Sequence, residues 1–193
     1  MNENNPYELS HVAFVTLGLV AEHPCHAKDI DDRIEKRGMR NWTDIGTSSI
    51  YGVLRKLNED GLVDSWIEEL DNRMIKVYEI TDYGLQVLKD KVFKVLKEYI
   101  GKNDEDFYVA FSMLPLLTLE QQIKALKNSL DNIKNHKKEL EKMLEENANF
   151  PINVTGLFRH PIMILQTDIE FLEWLLKEIK EGTSIIDRET YHK

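Results

Sequence analysis

The sequence predicts a mainly α protein, with an N-terminal winged helix-turn-helix domain over residues 1–100 and an α-helical dimerisation domain over residues 101–193. Three observations predict it. An amphipathic run from Thr47 to Asp60 ends at Gly61 and feeds two stretches rich in Val, Ile, Trp and Tyr. The character of the chain changes at Gly101-Lys-Asn-Asp104, beyond which everything reads as helical. Apolar residues in that second half then recur every seven positions, the spacing of a helix that packs lengthwise on another.

Taken in order, Ser10 to Ala21 carries Val12, Phe14, Val15, Leu17, Leu19 and Val20, too apolar for a surface helix and suited to a buried one. His23-Pro24 ends it. His26 to Lys36 reads as a second helix with Ile30 and Ile34 turned inward, terminated by Gly38, and Met39 to Gly46 reads as a loop. At about 100° per residue, Ile50, Val53, Leu54 and Leu57 form one stripe of the next helix, while Ser48, Gly52, Arg55, Lys56 and Glu59 share the opposite side. Thr47 or Ser48 can N-cap it through a side-chain oxygen, and Gly61 supplies a left-handed end. A helix of this length spans roughly 20 Å and suits a major groove about 12 Å wide.

Residues 63–69 and 74–80 read as strands around a tight turn at Asp71-Asn72. Thr81 is a good N-cap for a helix over 82–99, with Leu85, Leu88, Val92 and Val95 on its inner stripe. Beyond the linker, 106–113 reads as a short helix ended by Pro115, and Thr118-Leu-Glu-Gln121 has the form of a capping box opening a helix to about Asn147. Its seams are Leu119, Leu126, Ile133 and Leu140, and Ile123, Leu130 and Leu144 with Lys137 as the polar member. An irregular stretch with Pro151, Gly156 and Pro161 precedes a final helix whose stripe is Ile162, Leu165, Ile169, Leu172, Leu176 and Ile179, widened by Phe171, Trp174 and Leu175. Two such apolar faces in one small segment call for a partner surface, most economically a second copy of the chain; the other reading is that they bury only each other.

Composition excludes several classes. A hydrophobic content of 42% is enough for a core, and there is neither an apolar run of about 18 residues nor a leader-like N-terminus, so a soluble, cytoplasmic protein with no membrane partner is expected. The single cysteine, Cys25, cannot form an internal disulfide, and nothing supports redox sensing through it. A net charge of -9 argues against indiscriminate coating of nucleic acid, which depends on phosphate neutralisation. Locally, however, six cations (Arg33, Lys36, Arg37, Arg40, Arg55 and Lys56) stand against Glu35 and Asp44 around the amphipathic helix, either as a nucleic-acid surface or as an ordinary solvated face.

The run Ser49-Ile-Tyr51-Gly-Val-Leu54-Arg-Lys-Leu57-Asn-Glu-Asp-Gly61-Leu62-Val63, the wing, and Tyr78-Glu-Ile-Thr81-Asp-Tyr-Gly84 resemble the PadR family of winged-helix transcriptional regulators over about residues 8–100. The stretch from Phe107 to Pro115, the long helix and the segment from Arg159-His160 to Glu173-Trp174-Leu175 are similar, more weakly, to the larger C-terminal dimerisation domain of one PadR subfamily. The resemblance implies a homodimeric regulator, usually a repressor, that binds a near-palindromic double-stranded DNA operator and releases it when a small-molecule effector binds. It places Ser49 and Tyr51 at the DNA surface, brings Arg73 and Lys76 of the wing to the backbone or minor groove, and makes Tyr78 and Thr81 structural. His26-Ala27-Lys28 and Val77 depart from the family's usual residues in the second helix and the wing.

From the residues, Arg55 and Lys56 are the expected donors to DNA, with Arg55 as base reader. Ser48 lies on the same free side. Gly52 permits close approach to a groove or serves packing, and both readings stand. Tyr51 lies at the border of the stripe, either packed with its hydroxyl towards a phosphate or wholly buried. An enzyme finds no support: the sequence has no Gly-rich phosphate loop, HExxH, nucleophile elbow or paired cysteines, and no cofactor is expected. His23, Cys25 and His26 are the sole cluster of metal-ligand types, poorly placed for one ion. The rival function is a winged-helix module for protein contacts without sequence-specific DNA binding. Phe107, Tyr108, Phe111, Phe158 and Trp174 could line an effector pocket, although a core role suits each better.

Overall fold

The computed structural model describes residues 7–70, 72–101, 104–146 and 149–182. These fall into two compact units: residues 7–92 with Tyr108–Leu116, and Phe93–Phe107 with residues 117–182. The first unit holds α1 (His11–Glu22), β1 (Cys25–His26), α2 (Ala27–Lys36), a 3-10 turn at Met39–Asn41, α3 (Thr47–Glu59), β2 (Val63–Leu70), β3 (Arg73–Ile80) and the start of α4 (Asp82–Glu98). It is a winged helix.

Helix α1 is its pillar. Ser10 N-caps it, accepting from the Ala13 amide at 3.3 Å, and every residue from Phe14 to Ala21 is buried. Burial all round makes α1 a central core helix, as its composition predicts. Against it pack Ile30 and Ile34 of α2 and Ile50, Leu54 and Leu57 of α3, all buried.

The hairpin runs in antiparallel register from Val63 opposite Ile80 to Leu70 opposite Arg73. Asn72 at the turn has φ 58°, a left-handed conformation that Asn tolerates better than most residues; Asp71, the other residue assigned to the turn, lies outside the described residues. The sheet order is β1-β3-β2. β1 is absent from the sequence reading: two residues, Cys25 opposite Tyr78 and His26 opposite Val77, are too few to leave a periodic signal. His26 then N-caps α2 through Nδ1, which accepts from the Asp29 amide at 3.0 Å.

Two turns close the wing onto α4. Gly61 takes φ 75° at the end of α3, as predicted. Thr81 caps α4, its hydroxyl oxygen accepting from the Gly84 amide at 3.0 Å and donating to the Gly61 carbonyl at 2.8 Å.

The second unit contains the end of α4, the start of α5 (Glu105–Ser112), whose remainder belongs to the first unit, α6 (Leu119–Glu146) and α7 (Ile152–Glu181). The capping box is reciprocal: the Gln121 amide donates to the Thr118 hydroxyl at 3.3 Å and the Thr118 amide to Gln121 Oε1 at 3.0 Å. Leu126 and Ile133 of α6 are fully buried, as are Leu172 and, nearly so, Leu165 of α7. The second predicted seam is corrected. Ile123, Leu130, Lys137 and Leu144 are half-buried, whereas Gln122 and Ser129 are fully buried. Gln122 Nε2 donates to the Leu117 carbonyl at 3.0 Å, and the row that continues from Ser129 serves the end of α4 and the residues after it: Ser129 Oγ donates to the Leu96 carbonyl, Asn132 to the Lys97 carbonyl at 3.2 Å, and His136 Nδ1 meets the Ile100 carbonyl at 3.2 Å. Helix ends leave carbonyls without intrahelical partners, and polar side chains satisfy them here.

The irregular stretch predicted before the final helix is also corrected, because α7 already begins at Ile152 and contains Gly156 and Pro161. A proline inside a helix removes the bond to the carbonyl four residues back, here that of Leu157. Leu157 is exposed, so water can satisfy that carbonyl.

Candidate nucleic-acid interface

The orientation of α3 is set from both ends. At its start the N-cap is Gly46, not Thr47 or Ser48, and no side chain caps it. The Thr47 hydroxyl is turned instead to Asp31 Oδ1 of α2, at 3.0 Å. Arg40 completes this corner, pairing with Asp31 at 2.5 Å and with Glu35, and donating through Nε to the Ile45 carbonyl at 3.3 Å. At the other end, Asn58 Nδ2 donates to the Val63 carbonyl at 2.8 Å, while Asn58 Oδ1 accepts from Ser65 at 2.9 Å and from Lys76 Nζ at 3.4 Å. Asp31, Arg40 and Asn58 are positioning residues missed by the sequence reading, since each acts through partners distant along the chain.

With the inner stripe buried, the outer face of α3 presents Ser48, Ser49, Tyr51, Gly52, Arg55, Lys56 and Glu59 to solvent. Tyr51 is 56% exposed, so the wholly buried alternative falls away. Around Gly52 nothing lies within 4 Å of where a Cβ would stand, so the glycine answers no packing need and leaves an open surface. Arg55 has 76% of its side chain exposed and only a loose pair with Glu59 at 3.8 Å; exposed pairs of this kind hold a side chain weakly. On the wing Arg73 and Lys76 are exposed, and Lys76 Nζ lies 5.3 Å from the ring centre of Tyr78.

The local excess of cations is smaller in space than in sequence. Glu22, only 6% exposed at its side chain, accepts from Arg33 at 3.1 Å and from Arg37 at 2.5 Å, and Arg33 also reaches Asp29 at 3.2 Å. Arg33, Arg37 and Arg40 therefore hold α1, α2 and the following turn together. Arg55 and Lys56 remain on the outward face of α3.

The His23-Cys25-His26 cluster does not converge. His23 is exposed with Nδ1 beside the Pro24 carbonyl at 3.1 Å, His26 is spent on its cap, and Cys25 is buried, which pushes its thiol up to about 11. No group of residues among those described could hold a metal ion.

Within the first unit a cavity of about 310 Å³ is lined by Gly18 and Glu22 of α1, Arg37, Met39, Trp42 and Met113 among others. Its volume falls at the small end of ligand pockets, roughly 300–1,000 Å³. Of the five aromatics considered for an effector, Tyr108 adjoins this cavity, its ring 6.3 Å from that of Trp42. Phe107 is core, stacked on Tyr99 at 3.8 Å; Phe158 stacks on Phe150, Phe111 is half-buried and Trp174 exposed.

Residues 16–90 match the model of the transcriptional regulator PadR-like family. This segment is similar to the PadR-like family. The match spans α1 to α4 and so takes in α3, the wing and the corner built by Asp31 and Arg40. Among solved structures, the chain is similar to Bacillus subtilis PadR in complex with operator DNA, at 18% identity and a TM-score of 0.43, over 88% of this chain and 99% of that one. It is also similar to the PadR-like transcriptional regulator BC1756 from Bacillus cereus, at 19% identity and a TM-score of 0.38, over 89% and 99% of the two chains. Bacillus subtilis PadR in complex with p-coumaric acid follows at 19% and 0.37, over 88% and 98%. No curated protein matches. Among the described residues no helix is long and apolar enough to cross a membrane.

Proposed function

We propose that the protein is a homodimeric, DNA-binding transcriptional regulator that represses from a near-palindromic operator. Residues 1–100 form the DNA-binding domain and 101–193 the dimerisation domain. The observation that carries this reading is the outward face of α3, where Arg55, Lys56, Ser48, Ser49 and Tyr51 surround the open surface over Gly52. A cation on such a face reads guanine edges or phosphates, and the wing adds Arg73 and Lys76 alongside. The family model supports the regulatory role.

Dimerisation is supported by α7. Ile152, Met163 and Trp174 are 85%, 69% and 54% exposed, and positions eleven apart fall about three turns from one another on one side of a helix. That side is opposite the buried stripe of Leu165, Ile169, Leu172 and Leu176, so α7 carries two apolar faces and fills one of them within its own unit. The cavity beside Trp42 and Arg37 is the place for a small-molecule effector, which must favour the non-operator state to release DNA.

The deciding experiment is a gel-shift titration of the full chain on its own promoter, with and without excess random DNA. Binding that survives the competitor and weakens in Arg55→Ala is expected. Absence of DNA binding, with capture of another protein through α3, would instead establish the protein-contact module.

A further inference from the structure

The two strands of the wing differ in charge. β3 carries Arg73 and Lys76, whereas β2, Val-Asp-Ser-Trp-Ile-Glu-Glu-Leu, has three carboxylates and no cation. Asp64, Glu68 and Glu69 are all exposed, as are Trp66, Ile67 and Leu70. In the order β1-β3-β2, β2 is an edge strand with no neighbour on its outer side among the described residues. Its eight residues extend about 27 Å. Edge strands are usually blunted with charged side chains, lysine above all, with proline or with a bulge; β2 has charges of one sign only, which deter a like-charged strand and not a basic one, has no lysine or proline, and pairs with β3 without interruption over its whole length.

Its side chains are also patterned. The pleat puts Asp64, Trp66, Glu68 and Leu70 on one face, an acid and an apolar residue in alternation, and Trp66 Nε1 approaches Glu68 Oε2 at 3.4 Å. A neighbouring strand would meet these side chains directly opposite its own, where opposite charges stabilise and like charges oppose pairing.

We propose that the outer edge of β2 is a docking site for an extended, basic segment of another protein, added to the sheet as a further strand. Main-chain hydrogen bonds along an open edge supply affinity, and alternate side chains supply specificity. The pattern of β2 selects a partner with Lys or Arg opposite Asp64 and Glu68 and apolar residues opposite Trp66 and Leu70. DNA is disfavoured on this edge because three carboxylates would face phosphates. A second copy is disfavoured because the same carboxylates would approach their duplicates with no cation on either strand. The proposal is independent of DNA reading by α3.

The test uses the full chain and a fluorescein-labelled peptide of ten residues built on the repeat Lys-Thr-Val-Thr, which puts lysine and valine in alternation on one face, with a glutamate-for-lysine peptide as control. Saturable binding of the basic peptide is expected by anisotropy, together with slowed amide hydrogen exchange across residues 64–70. Asp64→Asn/Glu68→Gln should weaken it about tenfold, while Glu145→Gln/Glu146→Gln on α6 leaves it unchanged. Equal loss in both double variants, or no protection of β2, would reduce the effect to attraction by an acidic protein and overturn the proposal. So would a change of promoter affinity in Asp64→Asn/Glu68→Gln without peptide binding, which would put DNA on this strand. Retained promoter binding in the parent reports separately on α3.

Discussion

The hydroxyl of Thr47 donates to the carboxylate of Asp31 at 3.0 Å, joining α2 to the first residue of the helix whose outer face is proposed to read DNA. An acid near a helix start also complements the positive end of the helix dipole. Arg40 grips the same carboxylate, and both partners hold Arg40 firmly protonated. Arg40→Ala is expected to lower operator affinity without removing a residue from the outward face of α3. Arg40→Lys should not restore it, since an ammonium cannot span Asp31, Glu35 and the Ile45 carbonyl as the guanidinium does. Gel-shift titration of the two variants checks this; full rescue by lysine would show that charge alone matters.

Arg55→Ala is expected to cost about 1–3 kcal/mol at the operator and relax discrimination at one base pair. With three-quarters of its side chain in solvent, the melting temperature should not move. Arg73→Ala should weaken binding to all sequences alike and make the salt dependence shallower by about one unit. Titrations at several salt concentrations separate the two behaviours.

Gly84 lies where α4 starts beneath the wing. A Cβ there would stand 2.0 Å from the Leu62 carbonyl oxygen, a backbone atom that cannot swing aside. Gly84→Ala should destabilise the fold by about 1–3 kcal/mol. Gly18→Ala should cost less, because what its Cβ would meet first is the flexible end of Met113. Thermal unfolding of both variants tests that ordering.

Burial raises the Cys25 thiol from 9.0 to about 11. The folded state therefore holds a proton that the unfolded state gives up, and the resulting stability is complete below about pH 9 and lost as pH rises through about 11. Its full size is about 2–3 kcal/mol. Tyr7, also raised to about 12 by burial and Asp60, titrates in the same alkaline range, so the comparison is parent against Cys25→Ala. The variant should show a flatter decline in chemical-denaturation stability between pH 9 and 11. At neutral pH the native thiol should resist iodoacetamide and react after unfolding.

If α7 pairs two copies through its second apolar face, Met163→Glu should shift the mass measured by sedimentation towards the monomer. Loss of assembly with unchanged helix content by circular dichroism is the expected result.

The sequence reading is strongest where one periodicity decides an element. Ile50, Leu54 and Leu57 announce the buried side of α3, and Gly61, Thr81 and the Thr118/Gln121 pair mark boundaries through local chemistry that needs no tertiary partner. It weakens where polar groups take core positions. Gln122 and Ser129 carry no hydrophobic signal, yet they lie fully buried because the carbonyls of Leu117, just before α6, and of Leu96 on α4 need donors. Charge is misleading for the same reason: Arg33, Arg37 and Arg40 count as a basic cluster along the chain, and only folding brings Glu22, Asp29 and Asp31 against them. Pro161 reads as a helix breaker, but solvent at an exposed turn relieves the carbonyl it leaves unpaired. Ser48, Gly52, Arg55, Lys56 and Glu59 are legible from the wheel as the outward side of α3, whereas Ser49 and Tyr51 come from the resemblance; the corner that aims them is not legible.

The row of Ser129, Asn132 and His136 on the carbonyls of Leu96, Lys97 and Ile100 makes the end of α4 behave like a key in a lock with three wards. A slip of one residue would turn α4 by about 100° and advance it about 1.5 Å, misaligning the Leu96 and Lys97 acceptors together and displacing the Ile100 carbonyl that follows them. Intermediate positions gain nothing, so the end of α4 has one seat against α6 rather than a range of them. Any motion that begins there must release the whole row at once.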